Sequence, residues 1–531
     1  MPNIKANLLN VTNLKKYFPI GRRSIFKNDQ MYVRANDGIS LEIHEGETLG
    51  LVGESGCGKS TFGRVILQLY SQTSGSTMYY GKSLAEIAPR YVVDTLKNAD
   101  KMVSKYHELR EKADEAALKL EEAGEGASFE LANEAEQAEF AASNALDHTA
   151  KILGGFMALQ DISEPAAAML ELFEHRVKLA EKQSKLEDLE YKKSKISPTA
   201  GKSGSSRLQK LDNSITEAKA EIEKLEKEIL PLENRVEQLK AKYSQLPDFE
   251  KYEALRDQGI DLSRLSYDES RSLRKDLQII FQDPYSSLNP RLTIGQIIEE
   301  GIVTHKMYAA GSDEAREYVL KVMEECGLQN YMLHRYPYQF SGGQRQRICI
   351  ARALAVKPKF LVCDECVSAL DVSIQSQIIN LLLELKEKQN LTYLFISHDL
   401  SVVKYISDRI GVMYLGNIVE LTDKDKLFSD PRHPYTIALL SSIPTTDPDS
   451  AQRDRIILEG NIPSPMNPPS GCKFHTRCYM ACDKCRRINP PLVEVEPGHF
   501  VACHYSERKL GEDGELLFDW RSCGEDIEIE E

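Results

Sequence analysis

No uninterrupted apolar run in this chain of 531 residues approaches the ~18 residues that a membrane-crossing helix needs. The opening stretch MPNIKANLLN has no basic segment leading into an apolar one, which argues against a secretory leader. Cysteine is scarce. Eleven in the whole chain are too few for a disulfide-built scaffold, and the expectation is a reducing compartment. Positive charge is short too, with 67 Lys and Arg against 81 Asp and Glu and a net charge of −14. The deficit is local: residues 84–258 carry a net −9 and residues 507–531 a net −7, which leaves the remainder near +2. Nothing in this balance calls for nucleic acid as a partner. What is present is apolar residue enough, 41% of the chain, to bury more than one core, and the length predicts roughly three domains.

Residues 84–258 are rich in Ala, Glu, Lys and Leu and poor in strand signals. From Leu211 the apolar positions run Ile215, Ala218, Ile222, Leu225, Ile229, Leu232, Val236, Leu239, Tyr243 and Leu246. Steps alternating three and four make a coiled-coil seam. Pro231 lies inside it and should remove a hydrogen bond and bend the helix. A patchier stripe precedes it at Leu172, Leu179, Leu186, Leu189 and Ile196, with Ser/Gly/Pro linker chemistry over 197–206. An antiparallel helical hairpin is the simplest reading, with a solvated single helix as the plain alternative. The flanks read as α/β: Thr48–Val52, Phe360–Cys363 and Thr392–Ile396 are short apolar runs suited to buried parallel strands. The helical segment therefore interrupts one domain.

Gly53-Glu-Ser-Gly56-Cys-Gly58-Lys59-Ser60-Thr61 follows the first of those runs and opens a helical pattern, the context of a phosphate-binding P-loop. Its glycines turn backbone N–H groups inward, Lys59 reaches the β- and γ-phosphates, and the Ser60 hydroxyl suits Mg²⁺. Phe360–Cys363 ends in Asp364-Glu365, which places Asp364 at the metal and Glu365 where it can polarise an attacking water. Ser341-Gly342-Gly343-Gln344 precedes a helix and offers a hydroxyl, free amides and a dipole end. His398 ends an apolar strand, where an imidazole can donate to a γ-phosphate.

In this order, with Gln282 in Ile279-Ile-Phe-Gln-Asp283 and Asp371 in Ser368-Ala-Leu-Asp371, the residues resemble the ATPase subunits of ABC transporters. Phe281-Gln-Asp-Pro-Tyr-Ser-Ser-Leu-Asn-Pro-Arg291 and His433-Pro-Tyr435 resemble those of oligopeptide/dipeptide importers, particularly the F-type member of their ATPase pair. The resemblance covers roughly 1–83 and 259–506. It implies an α/β P-loop ATPase domain over 1–83 and 259–430, with a RecA-like core and a helical signature subdomain. The coiled-coil insert at 84–258 would interrupt it, a small Cys-containing C-terminal region would follow at 431–506, and an acidic tail at 507–531. ATP and Mg²⁺ are the implied cofactors. Gly53, Gly56, Gly58, Lys59, Ser60 and Thr61 would bind ATP, Tyr17 would stack on adenine, and Ser60, Gln282 and Asp364 would meet Mg²⁺. Glu365, His398 and Gln282 would be catalytic. Ser341, Gly342, Gly343 and Gln344 would complete the partner ATPase's site, and Asp371 would lie at the dimer interface. Implied partners are a D-type ATPase subunit, two permease subunits and an extracellular substrate-binding protein, at the cytoplasmic face of the membrane. Peptide is the implied cargo; close relatives handle nickel chelates, glutathione-like thiols and oligosaccharides. Two departures stand out: Phe340 replaces the commoner Leu, and Cys366 replaces the Pro that usually follows the catalytic Glu.

Cys472, Cys478, Cys485 and Cys503 match positions that imply a [4Fe–4S] cluster in some peptide-importer ATPases, and Cys482 is extra. Four thiolates also suit Zn²⁺, and free thiols are the third reading. His475, His499 and His504 lie in the same stretch. An ATPase split by helices is also found in chromosome-maintenance and DNA-repair proteins. That rival class has no place for His433-Pro-Tyr435 or the cysteines, and a translation-factor-like ABC protein would carry two ATPase cassettes where only one set of motifs occurs here.

Overall fold

The computed structural model describes residues 6–20, 31–123, 129–194, 202–443 and 456–505. The acidic segment 507–531, Ile196 and the 197–201 part of the linker lie outside the described residues. Two compact units divide the chain, one of 1–77 with 271–531 and one of 78–270. In chain order the strands are β1 (Asn7–Ile20), β2 (Met31–His44), β3 (Thr48–Val52), β4 (Ser74–Tyr79), β5 (Ile260–Asp261), β6 (Leu277–Ile280), β7 (Phe360–Asp364), β8 (Thr392–Ile396), β9 (Arg409–Tyr414), β10 (Asn417–Asp423), β11 (Val493–Glu496) and β12 (His499–Val501).

The first unit is built on a sheet of order β11-β12-β10-β9-β3-β8-β7-β6. From β6 to β9 its neighbours are parallel. Every residue of β3, β7 and β8 is buried, as unbroken apolar runs covered on both faces should be. Register sets the site: Leu51 pairs with Ile396, Asp364 with Ile396 and Ile280 with Cys363, so four adjacent strands end level. Beyond β9 the sheet turns antiparallel through β10, and β12 and β11 add to that edge. The chain past residue 431 therefore shares the sheet that carries β3. β1 and β2 pair antiparallel in a second sheet, in which β4 lies on the other side of β1.

The second unit is helical apart from Met78 and Tyr79, which pair with Asp261 and Ile260. Ion pairs Glu171–Arg235, Arg176–Glu233, Lys182–Glu221, Glu190–Lys219 and Lys193–Asp212 join the helices Ser163–Ser194 and Lys202–Tyr243. As one member rises in number the other falls, so the helices run antiparallel. Ile215, Ala218, Ile229, Val236 and Leu239 of the seam are buried. The 42-residue helix continues through Pro231, whose position is exposed, so the carbonyl four residues back is left to water. Lys202–Ser206, expected as linker, is helical. A second helical pair, Ala99–Ala123 with Phe129–Leu153, is bridged by Arg110 and Glu139 at 2.9 Å. Among the described residues no helix is long and apolar enough to cross a membrane.

Candidate active site

The loop after β3 returns into the helix Lys59–Ile66. Gly53 and Gly58 take φ of 151° and 104°, and a Cβ on either would come within 2.1 Å of a backbone oxygen, that of Met413 or Ala35. Only glycine fits there. Lys59 is buried, and its Nζ donates to Gly53 O at 2.7 Å and Glu54 O at 3.1 Å, holding the cation inside the loop. Gly56 is exposed and Thr61 half-buried. Cys57 packs in the loop, and burial pushes its thiol up, against the pull of Lys59. It is a small filler of a tight turn.

Ser60 Oγ donates to Asp364 Oδ1 at 2.5 Å, and Arg64 Nη2 approaches Asp364 Oδ2 at 3.2 Å. Asp364 is fully buried. A hydroxyl and a carboxylate so close are the hard oxygen donors that Mg²⁺ takes, with phosphate and water completing its shell. Beyond Asp364 the backbone turns sharply: Glu365 has φ of 47°, a strained conformation for a non-glycine residue and one that collects at active sites. The Glu365 N–H donates to Ile396 O at 3.0 Å, and its Oε2 accepts from Gln282 Nε2 at 2.8 Å and lies 3.7 Å from His398 Nδ1. Gln282, Glu365 and His398 follow β6, β7 and β8. Their distance apart in sequence disappears at the strand ends. Cys366 is buried, so the thiol fills the place of the usual proline from inside.

Ser341 caps the helix Gly342–Leu354 in a reciprocal box: its Oγ accepts from Gln344 N at 3.4 Å and its N–H donates to Gln344 Oε1 at 3.1 Å. Ser341 and Gly342 are exposed. A Cβ on Gly343 would meet Ile374 at 2.5 Å, which explains the second glycine. Phe340 is buried, so the larger apolar ring is accommodated. Asp371 is exposed and caps the helix Val372–Gln389, accepting from Ile374 N at 3.0 Å.

Tyr17 is buried, its hydroxyl donates to Asp37 Oδ1, and the Arg34 guanidinium lies 5.4 Å from its ring centroid. Burial works against the Asp37 charge, but Lys473 and Tyr17 hold its carboxyl below the ordinary value. Sequence reasoning missed Asp37, Lys473, Glu54, Tyr435 and Arg477, which meet around this site. Tyr435 was visible only as part of His433-Pro-Tyr435.

Among the described residues no three His, Cys, Asp or Glu side chains converge on one metal ion. The cysteines are neighbours nonetheless: burial drives the Cys478 thiol up to about 12, with Cys503, Cys472 and Cys485 adding to the rise. Cys472 N donates to Cys485 O at 2.7 Å, and the sulfurs of Cys482 and Cys485 are 3.7 Å apart. The three histidines turn elsewhere: His475 Nδ1 lies 2.8 Å from Cys472 O, His504 Nε2 2.9 Å from Ile488 O, and His499 Nε2 2.8 Å from the buried Glu420.

The family described as "ABC transporter" matches residues 36–162 and 244–368, and that described as "Oligopeptide/dipeptide transporter, C-terminal region" matches 419–485. The first match skips 163–243, the stretch that holds the helices joined by the five ion pairs. The oligopeptide transport ATP-binding protein AppF of Bacillus subtilis (strain 168) is 56% identical over 248 residues, covering 46% of this chain and 75% of that protein. A putative peptide import ATP-binding protein of Brucella ovis (strain ATCC 25840 / 63/290 / NCTC 10512) is 54% identical over 246 residues, covering 46% and 76%.

Proposed function

The chain belongs to the ATP-binding subunits of oligopeptide ABC importers, and from that premise we propose how its residues divide the work of ATP-powered peptide import. The observation that carries the reading is the level ending of β3, β8, β7 and β6. It brings the P-loop, His398, Asp364-Glu365 and Gln282 to one edge. The P-loop amides and Lys59 hold the phosphates, and Tyr17 serves the adenine. Ser60, Asp364 and Gln282 would hold Mg²⁺, which supplies Lewis-acid neutralisation of phosphate oxygens when bound. Glu365 orients and polarises the attacking water, and His398 donates to the γ-phosphate. The exposed Ser341–Gln344 end and Asp371 face a second, D-type ATPase, so that two subunits close head to tail over two ATPs. Closure aligns the water in line and hydrolysis reopens the pair. Two permease subunits convert that closure into alternating access, a binding protein delivers peptide, and the chain works at the cytoplasmic face of the membrane through them.

Two finer proposals go with this. Cys472, Cys478, Cys485 and Cys503 would hold a [4Fe–4S] cluster, with Zn²⁺ as the alternative that four thiolates also suit. Iron quantitation with absorbance near ~400 nm tests it, and protein free of iron would remove it. The helical insert of 84–258 would serve as a docking arm for a regulatory protein or as a brace against the partner ATPase, and deleting 84–258 behind a short Gly-Ser link and measuring transport tests both. The peptide-import relatives favour transport over the rival assignment to DNA or ribosomes. The deciding experiment is gentle isolation of the tagged subunit from native membranes, followed by ATP-dependent uptake of labelled peptide. Recovery with permeases and uptake that Glu365→Gln abolishes are expected; a soluble assembly with DNA or ribosomes and no permease would overturn the transport reading.

A further inference from the structure

Glu54, the second residue of the P-loop, is held from three sides. Its N–H donates to Tyr435 Oη at 2.9 Å, its carbonyl accepts from Lys59 Nζ at 3.1 Å, and its carboxylate accepts from Arg477 Nη1 at 2.7 Å and Nη2 at 3.1 Å. The Arg477 side chain is only 6% exposed, and its guanidinium lies 6.0 Å from the Tyr414 ring centroid. This arginine comes from the turn Cys472–Cys478, which is pinned by His475 N to Cys472 O and Arg477 N to Phe474 O, both 3.0 Å. Phe474 anchors the turn against Tyr414 and Tyr435, with centroids 5.2 and 5.3 Å away. From the same turn Lys473 Nζ donates to Asp37 Oδ2 at 2.6 Å and Leu415 O at 3.1 Å, and Asp37 in turn accepts from Tyr17.

We propose that the Cys472–Cys478 turn is a strut behind the nucleotide site, in which Arg477 positions the P-loop through Glu54 and Lys473 positions Tyr17 through Asp37. A phosphate loop binds well only if its amides are already aimed, because ordering a free loop on binding consumes affinity. A bidentate arginine fixes direction as well as distance, which a lysine's point charge does not. Neither residue touches the reacting atoms, so the strut acts on nucleotide affinity and leaves the chemical step alone. The second arm rests on the assignment of Tyr17 to adenine; the first does not.

The test uses the full chain in the solubilised importer, with MgATP affinity and kcat measured separately. Arg477→Gln and Glu54→Gln are each expected to weaken MgATP binding about tenfold, the scale of one charged hydrogen-bonded pair, with kcat at saturation within about twofold, as expected for lost ground-state binding. The double variant should bind no worse than either single one, and Arg477→Lys should fall between wild type and Arg477→Gln. Unchanged affinity in the singles, or losses that add in the double variant, would overturn the Arg477 arm. Glu54→Gln leaves the C-terminal region untouched, so matching effects from both sides separate positioning from misfolding. For the second arm, Lys473→Met should weaken binding as Tyr17→Ala does. Unchanged affinity in Lys473→Met alone overturns that arm, whereas unchanged affinity in Tyr17→Ala removes the adenine assignment and leaves the Arg477 result standing.

Discussion

Gln282 Nε2 donates to Glu365 Oε2 across 2.8 Å and ties the residue that follows β6 to the residue at the end of β7. The contact aims the carboxylate, as an orienting partner should. Glu365→Gln keeps the side chain's size and its contact with Gln282 but removes the base. With the partner subunit's site silenced, turnover should fall about 10²-fold or more while MgATP binding persists. Steady-state hydrolysis alongside nucleotide binding checks this, and normal turnover would remove Glu365 from its role.

Asp364 accepts from two donors, Ser60 Oγ at 2.5 Å and Arg64 Nη2 at 3.2 Å. Asp364→Asn keeps the side chain's size but loses one of its two acceptor oxygens and the charge that would hold Mg²⁺. The expected result is an ATP affinity that no longer improves when Mg²⁺ is added, with affinity in chelator close to wild type. Titrations with and without Mg²⁺ read it directly. An undiminished Mg²⁺ effect would place the metal elsewhere.

The phosphate chemistry was legible because it is written in contiguous residues: a glycine loop, an apolar run ending in two acids, a serine before two glycines. Register then joins them, and buried parallel strands are among the easiest runs to read. The Ile215–Leu239 seam was legible for the same local reason. The helical pair Ala99–Ala123 and Phe129–Leu153 was not, because its buried residues include Ala99, Ala113, Ala135, Ala142 and Ala150, which hide in an Ala-rich background. Arg477, Lys473 and Tyr435 were invisible as site residues. They reach Glu54 and Asp37 across 381 to 436 positions, and no periodicity records such a meeting. His499 was misleading: it stands among cysteines in sequence, yet its ring is committed to Glu420.

Val236 is buried in the core of the helical unit, whereas Leu230 on the same helix is 60% exposed. Val236→Asp puts an unpaired carboxylate into that core and should cost about 3–5 kcal/mol. Leu230→Asp should cost no more than about 0.5 kcal/mol. Thermal melting followed by helical circular dichroism should separate the two variants. Similar melting would mean that the seam does not stabilise the unit.

His433 accepts from Tyr435 N at 3.1 Å through Nδ1 and is fully buried, and burial pushes its imidazole down to about 4, against the pull of Glu420. It is neutral in the fold, whereas an exposed imidazole in the unfolded chain titrates near ~6.5. Between those values the unfolded state binds the extra proton, so stability is complete above about pH 6.5 and declines as pH falls toward 4. Glu420 adds to the decline. Burial opposes its charge, but His499, Thr436 and the N–H groups of Arg432 and His433 hold its carboxyl below the ordinary value, so its contribution is lost as pH falls through that lowered value. The first unit should therefore lose about 2–4 kcal/mol between pH 7 and pH 4 through His433. Calorimetric unfolding across that range measures the loss. His433→Asn retains a capping acceptor without a titrating group, so it should start from a lower Tm at pH 7 and show a shallower acid slope. An unchanged slope would assign the acid sensitivity to groups other than His433.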